Sequence, residues 1–246
     1  MEKQRFYVNT EGNDDQAYLE AIAHACKLTK DNVLLNSIVL LVHTKDNTAW
    51  FDRSLGEVRT KELVKGFYFS EFNTTLKIES LKTFRGADVV IACALHDKEL
   101  LDLDGDYSVK VIIAIPWQKT GVVKWLGTWK PKDLRGSSSS IGFAEPTCIV
   151  KEALRILTHS INLSTGIHHR SDEHLAKTFI RALRKYEPEL NPDVVGAYLV
   201  RELGWNPAHA RDVEKLITTL NNGRYFQGGD RTGLKAHYKK WKDACK

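Results

Sequence analysis

Residues 88–95 (DVVIACAL) and 109–115 (VKVIIAI) decide the fold class. Both are nearly unbroken apolar runs rich in valine and isoleucine. A strand with one wet face alternates apolar and polar residues. A continuous run marks a strand covered on both faces, hence a mostly parallel sheet between helix layers. Residues 37–43 (SIVLLVH) repeat the pattern, and residues 5–8 and 67–69 add short strands.

Helical spacing fills the intervals. Residues 14–28 carry Tyr18, Ala21, Ile22, Ala25 and Cys26 on one face behind Asp14 and Asp15, where the helix dipole favours acids. Residues 57–65 predict a helix closed by Gly66, and residues 76–84 predict another that ends at Gly86. Residues 1–135 are therefore expected to form an α/β, Rossmann-like domain, a mostly parallel sheet with helices on both faces.

Residues 131–146 (PKDLRGSSSSIGFAEP) interrupt this pattern with four consecutive serines, the composition of a hinge. Residues 136–165 read as a Ser/Gly-rich connector and linking helix. Residues 166–246 read as a small basic helical domain. Ser171, Asp172 and Glu173 open one helix, and Asn191-Pro192 and Asn206-Pro207 open the next two, each with proline at the first helical position. The tight join at 204–206 outlines a helix-turn-helix. Residues 224–234 (RYFQGGDRTGL) read as a loop or short hairpin; a glycine-bearing hairpin there, followed by a basic helix ending in Trp241, would complete a winged-helix-like domain.

The 246 residues are 42% hydrophobic and 27% charged, an ordinary globular balance that excludes a disordered chain. The charged start MEKQR leads into no secretory core, and the longest apolar runs span seven residues against the ~20 of a membrane helix. The expectation is a cytoplasmic chain with no membrane partner. Cys26, Cys93, Cys148 and Cys245 match no ligand spacing and read as four reduced thiols.

Charge is uneven along the chain. Residues 1–150 hold 19 basic and 20 acidic side chains, residues 151–246 hold 17 and 11, and residues 215–246 hold eight and two. Clustered cations gain affinity for a polyanion by displacing its counterions. The leading expectation is a nucleic-acid-associated protein that grips the phosphate backbone of DNA or RNA. Arg211, Lys215, Arg224, Arg231, Lys235, Lys239, Lys240 and Lys242 would make the contacts. Asp212 and Glu214 on the same predicted helix oppose it.

A second expectation comes from the sheet. Ligands of parallel sheets bind beyond the carboxyl ends of the strands. Those segments are residues 9–15 (NTEGNDD), 43–48 (HTKDNT), 96–106 and 117–120. Thr10, Gly12, Asn13, Asp14 and Asp97 would line a crevice for a nucleotide or small phosphorylated ligand. The protein would then be an enzyme, with the helical domain as lid or dimer contact. A third class is a protein-interaction scaffold. No dinucleotide fingerprint, Walker A motif, G-x-S-x-G elbow or H-E-x-x-H is present. The acidic run Asp102, Asp104, Asp106 imitates a calcium loop but has Ile113 where the bidentate glutamate belongs, and reads as a turn. Residues 167–174 are rich in histidine at no zinc spacing. Trp117, Trp125 and Trp129 read as packing for a short amphipathic helix over 118–126. The sequence assigns no catalytic residue, metal or cofactor.

Overall fold

The computed structural model describes residues 3–45, 49–136 and 142–246, in two compact units, Met1–Ile141 and Gly142–Lys246. The first unit contains β1 (Gln4–Tyr7), α1 (Asp15–Asp31), β2 (Ser37–Val42), α2 (Ala49–Leu55), α3 (Glu57–Lys65), β3 (Phe67–Phe69), β4 (Thr74–Ser80), β5 (Val89–Cys93), α4 (Asp97–Gly105), β6 (Val111–Ile115), α5 (Val123–Trp129) and β7 (Lys132–Asp133). The strands form one sheet in the order β3-β4-β2-β5-β6-β1-β7. Every pairing is parallel except β3 with β4.

The period of a strand explains the unbroken apolar runs. Ile38, Leu40 and Val42 of β2 pack with Ile91, Ile113 and the α1 residues Ala17, Ala21 and Ala25. The intervening Val39 and Leu41 pack with Val90, Ile112 and Leu100, Trp125 and Leu126 from α4 and α5. Successive side chains enter opposite layers, and both layers are dry. One expectation fails here: residues 76–84 do not form a helix. Residues Thr74–Ser80 are a strand, with Leu76 and Ile78 buried on one face and Leu76 in register with Ile38. The β-branched threonines and an open edge of β2 outweigh the helical spacing of a short segment.

The second unit consists of α6 (Cys148–Ser160), α7 (Arg170–Tyr186), α8 (Pro192–Arg201), α9 (Pro207–Asn221) and α10 (Leu234–Asp243). Asn191 and Asn206 accept backbone N–H groups at the starts of α8 and α9, as their Asn-Pro sequences predict. At α7 the N-cap is His169 rather than Ser171. α7 packs on α6, α9 and α10, and α8 packs on α9. Their common core includes Leu157, Phe179, Ile180, Leu199, Trp205, Ile217 and Trp241. The sequence boundary lies near residue 165, whereas α6 contributes Val150, Leu154 and Leu157 to this core and so belongs to the helical unit.

One further expectation is corrected in this unit, and one alternative is decided. Cys148 and Cys245 are joined as a disulfide with Cα atoms 5.9 Å apart, so only Cys26 and Cys93 are free thiols. Their 97-residue separation hides the pairing, which exists because α10 lies against α6. Residues 224–233 form no strand, so of the two expected forms the segment is a loop and the hairpin is absent. The Arg181 guanidinium donates to the carbonyls of Phe226 (3.0 Å), Gly228 (2.8 Å) and Gly229 (3.0 Å), fixing this loop to α7. No described helix is long and apolar enough to cross a membrane.

Candidate functional site

The carboxyl ends of the neighbouring strands β5, β6 and β1 open onto a cavity of about 650 Å³. Asn13 reaches it from the loop after β1, Ala94 and His96 follow β5, and Trp117 and Gln118 follow β6. Trp50 and Arg53 of α2 complete the lining.

The backbone holds these groups by specific devices. Ala94 has φ +55°, a left-handed conformation rare outside glycine, and its N–H donates to Ile115 O at 2.8 Å. That hydrogen bond ties the ends of β5 and β6 where the chain turns into α4. Gly12, at φ +71°, donates its N–H to Trp117 O at 2.7 Å. The Trp117 ring remains partly in solvent. A Cβ at Gly121 would stand 2.6 Å from His96 Nδ1, so glycine there makes the room that His96 occupies.

Arg53 is anchored from below. Its Nε and Nη2 donate to the two Asp15 oxygens, each at 2.7 Å, and Nη2 also donates to Asn13 Oδ1. The pair holds the Asp15 carboxyl below its usual range and the Arg53 guanidinium above its own. Trp50 stacks at 6.4 Å on Tyr18, whose phenol is pushed up by burial. The Trp50 indole N–H is buried with no acceptor among the described residues.

Of the crevice residues predicted from sequence, only Asn13 lines the cavity. Thr10 is buried and donates to Asp14 Oδ2 at 2.7 Å. Asp14 caps α1 through Ala17 N–H and is drawn down to about 2, chiefly by Arg135 at 2.7 Å. Asp97 accepts the backbone N–H groups of Lys124 (3.1 Å) and Trp125 (2.7 Å) and so caps α5. Thr10, Asp14 and Asp97 therefore hold the loops in place, and Gly12 positions Trp117. Trp50 and Arg53 escaped the sequence reading because α2 was not foreseen; the Phe51/Leu55 spacing was its signal. Part of segment 43–48 lies outside the described residues, as do the four consecutive serines.

The acidic run at the end of α4 is structural. The Asp104 carboxyl is almost wholly buried, pairs with Arg5 Nε at 2.7 Å and accepts the Trp125 indole N–H. Trp125 is fully buried, and Trp129 lies under the Arg5 guanidinium, 3.5 Å from its ring centroid. Among the described residues, no three His, Cys, Asp or Glu side chains are grouped as metal ligands.

In the helical unit the eight predicted cations divide between two helices and a loop. Arg211, Lys215 and Arg224 line a second cavity of about 410 Å³ that also holds Asp193 and Glu214. Lys215 is paired with Asp212 at 2.8 Å, and Asp212 also meets His168 Nε2 at 3.0 Å. Arg231 lies in the loop beside Arg181, whose guanidinium is pushed down by burial and by that neighbour. Lys235, Lys239 and Lys242 are exposed at helical spacing along one stripe of α10, and Lys240 faces Glu152. Residues 146–242, from before α6 into α10, match a family described as a domain of unknown function (DUF1889). The similarity covers the DUF1889-like helical unit alone. No curated protein and no solved structure matches the chain. Within the DUF1889-like unit α9 packs on α7 and α8, whereas α10 packs on α6 and α7, so the two basic helices share α7 and differ in their second partner.

Proposed function

We propose that the first unit binds a small nucleotide-like ligand in the crevice at the carboxyl edge of its sheet. One observation carries this reading: two tryptophans, one arginine, one histidine and two side-chain amides converge on a cavity of about 650 Å³. A cavity of that size suits a small organic ligand, and flat apolar walls with a few polar groups are the usual composition of such sites. Its place beyond three adjacent parallel strands is where α/β sheets bind ligands. Thermal denaturation of the full chain in millimolar nucleotides tests the reading. A ligand at 100 times its Kd stabilises by about 2.7 kcal/mol, a clear rise in Tm. An unchanged Tm across the common nucleosides and nucleotides would defeat it.

A second reading is supported by the exposed α10 stripe of Lys235, Lys239 and Lys242. In it the DUF1889-like unit holds the phosphate backbone of DNA or RNA. α8 and α9 are joined by a short connection through Gly204 at φ +70°, but Lys215 on α9 is already ion-paired. The backbone contacts in this reading therefore come from α10. A full chain carrying Lys235→Glu, Lys239→Glu and Lys242→Glu should lose duplex binding at ~50 mM salt, where phosphate contacts are strongest. Equal binding by the triple variant and the parent would remove this reading.

A further inference from the structure

We infer that the crevice takes the uncharged heteroaromatic part of its ligand, a nucleobase or nucleoside, and that its described residues offer no seat for a polyphosphate. This rests on the reading of the crevice as a ligand site and narrows it. In α/β folds a phosphate commonly sits on the free amides at the start of the helix after the first strand. In this chain carboxylates occupy that place. Asp14 caps α1 by accepting Ala17 N–H at 3.1 Å, and Asp15 stands at the first helical position. A polyphosphate approaching α1 would meet two ion-paired carboxylates instead of open donors.

The cations beside the crevice are answered in the same way. Arg53 is the one arginine or lysine among the described lining residues, and its Nε and Nη2 are both directed at Asp15 at 2.7 Å. Arg135, the other guanidinium near the start of α1, is held between Asp14 at 2.7 Å and Glu20 at 2.8 Å. Both guanidiniums are matched by carboxylates of the chain itself, so little of their attraction remains for a multiply charged ligand. What the cavity does offer is the rings of Trp50 and Trp117 and the amides of Asn13 and Gln118. Aromatic faces attract flat heteroaromatic rings, and amides match the donor and acceptor edge of a base.

Calorimetric titration of the full chain decides the matter. The probes are adenosine, guanosine, cytidine and uridine, each beside its 5′-triphosphate. At least one nucleoside is expected to bind, its triphosphate to bind no tighter, and Trp117→Ala to weaken the nucleoside. A triphosphate that binds tighter than its nucleoside overturns the inference while leaving the crevice a nucleotide site. Silence from every compound overturns the inference together with the reading beneath it. Asp15→Asn supplies a second measurement. It releases Arg53, so triphosphate affinity should rise about 5-fold, the worth of one exposed ion pair. No rise in that variant also overturns the inference.

Discussion

Asp14 Oδ2 lies 2.7 Å from Arg135 Nη1, and the other oxygen of the same carboxyl caps α1. One side chain thus fixes the start of the first helix to the segment that follows β7. Arg135 is the main reason the Asp14 carboxyl is drawn from 3.8 down to about 2. A carboxyl whose folded pKa lies below its unfolded value stabilises above the unfolded value and loses that contribution as the proton binds. Stability of the parent should therefore fall as pH drops from about 4 toward 2, as seen in urea titrations at successive pH values. Asp14→Ala should cost about 1 kcal/mol at neutral pH, for a lost cap and a solvent-screened ion pair, and should flatten that acid limb. An acid limb equally steep in the variant would show that other carboxyls produce it.

Asp104 makes a different kind of contact. Burial pushes its carboxyl up, against the pull of Arg5 and the Trp125 indole N–H. Asp104→Ala would leave the Arg5 guanidinium mostly buried without its partner and would orphan the Trp125 donor. Removing one member of a buried pair typically costs 3–5 kcal/mol, so a loss of about 3 kcal/mol in urea denaturation is expected. A loss below about 1 kcal/mol would mean that water replaces the carboxylate.

These networks mark where a linear reading stops. The central strands were legible because β2, β5 and β6 are dry on both faces, and a run such as VIIAI has no polar residue to place in water. The stretch at β4 was not, because LKIES satisfies alternation and helical spacing equally, and only the neighbouring edge of β2 selects the strand. The strand-end loops were legible as the rim of a crevice from the direction of a parallel sheet. The individual residues were not. Thr10, Asp14 and Asp97 are common capping types, and they cap. Trp50 and Arg53 reach the crevice through a helix whose position depends on packing against Tyr18 and on Asp15. The eight cations were legible as a count, and their division between α9, α10 and a loop is a property of helix packing.

Gly229 should be irreplaceable in a way that Gly228 is not. Both have positive φ, +71° and +80°. A Cβ at Gly229 would lie 2.9 Å from the Lys177 carbonyl carbon and the Thr178 nitrogen, backbone atoms of α7 that have nowhere to go. A Cβ at Gly228 would meet only the mobile end of the Lys177 side chain, at 3.6 Å. Gly228→Ala should cost about 1 kcal/mol, for the left-handed conformation alone. Gly229→Ala should cost at least 1 kcal/mol more and should expose the amides of residues 224–233 to hydrogen exchange. Equal costs would show that the loop is not seated on α7.

The disulfide makes the strongest demand on the helical unit. Cys148 opens α6 and Cys245 follows α10, so the bond closes a loop of 97 residues that contains α7, α8 and α9. Its effect on the unfolded chain is large because a long loop loses the most freedom when closed, with typical stabilisation of about 2–4 kcal/mol. The native contacts of α10 do not depend on it, since Leu234 and Trp241 are buried in the same core. Reduction should therefore lower the Tm of the unit without abolishing its helical circular dichroism. The Cys148→Ser, Cys245→Ser double variant should melt at the lowered temperature with or without reductant. If the parent melts identically under oxidising and reducing conditions, the two sulfurs are not bonded in solution, and the four-thiol expectation is restored.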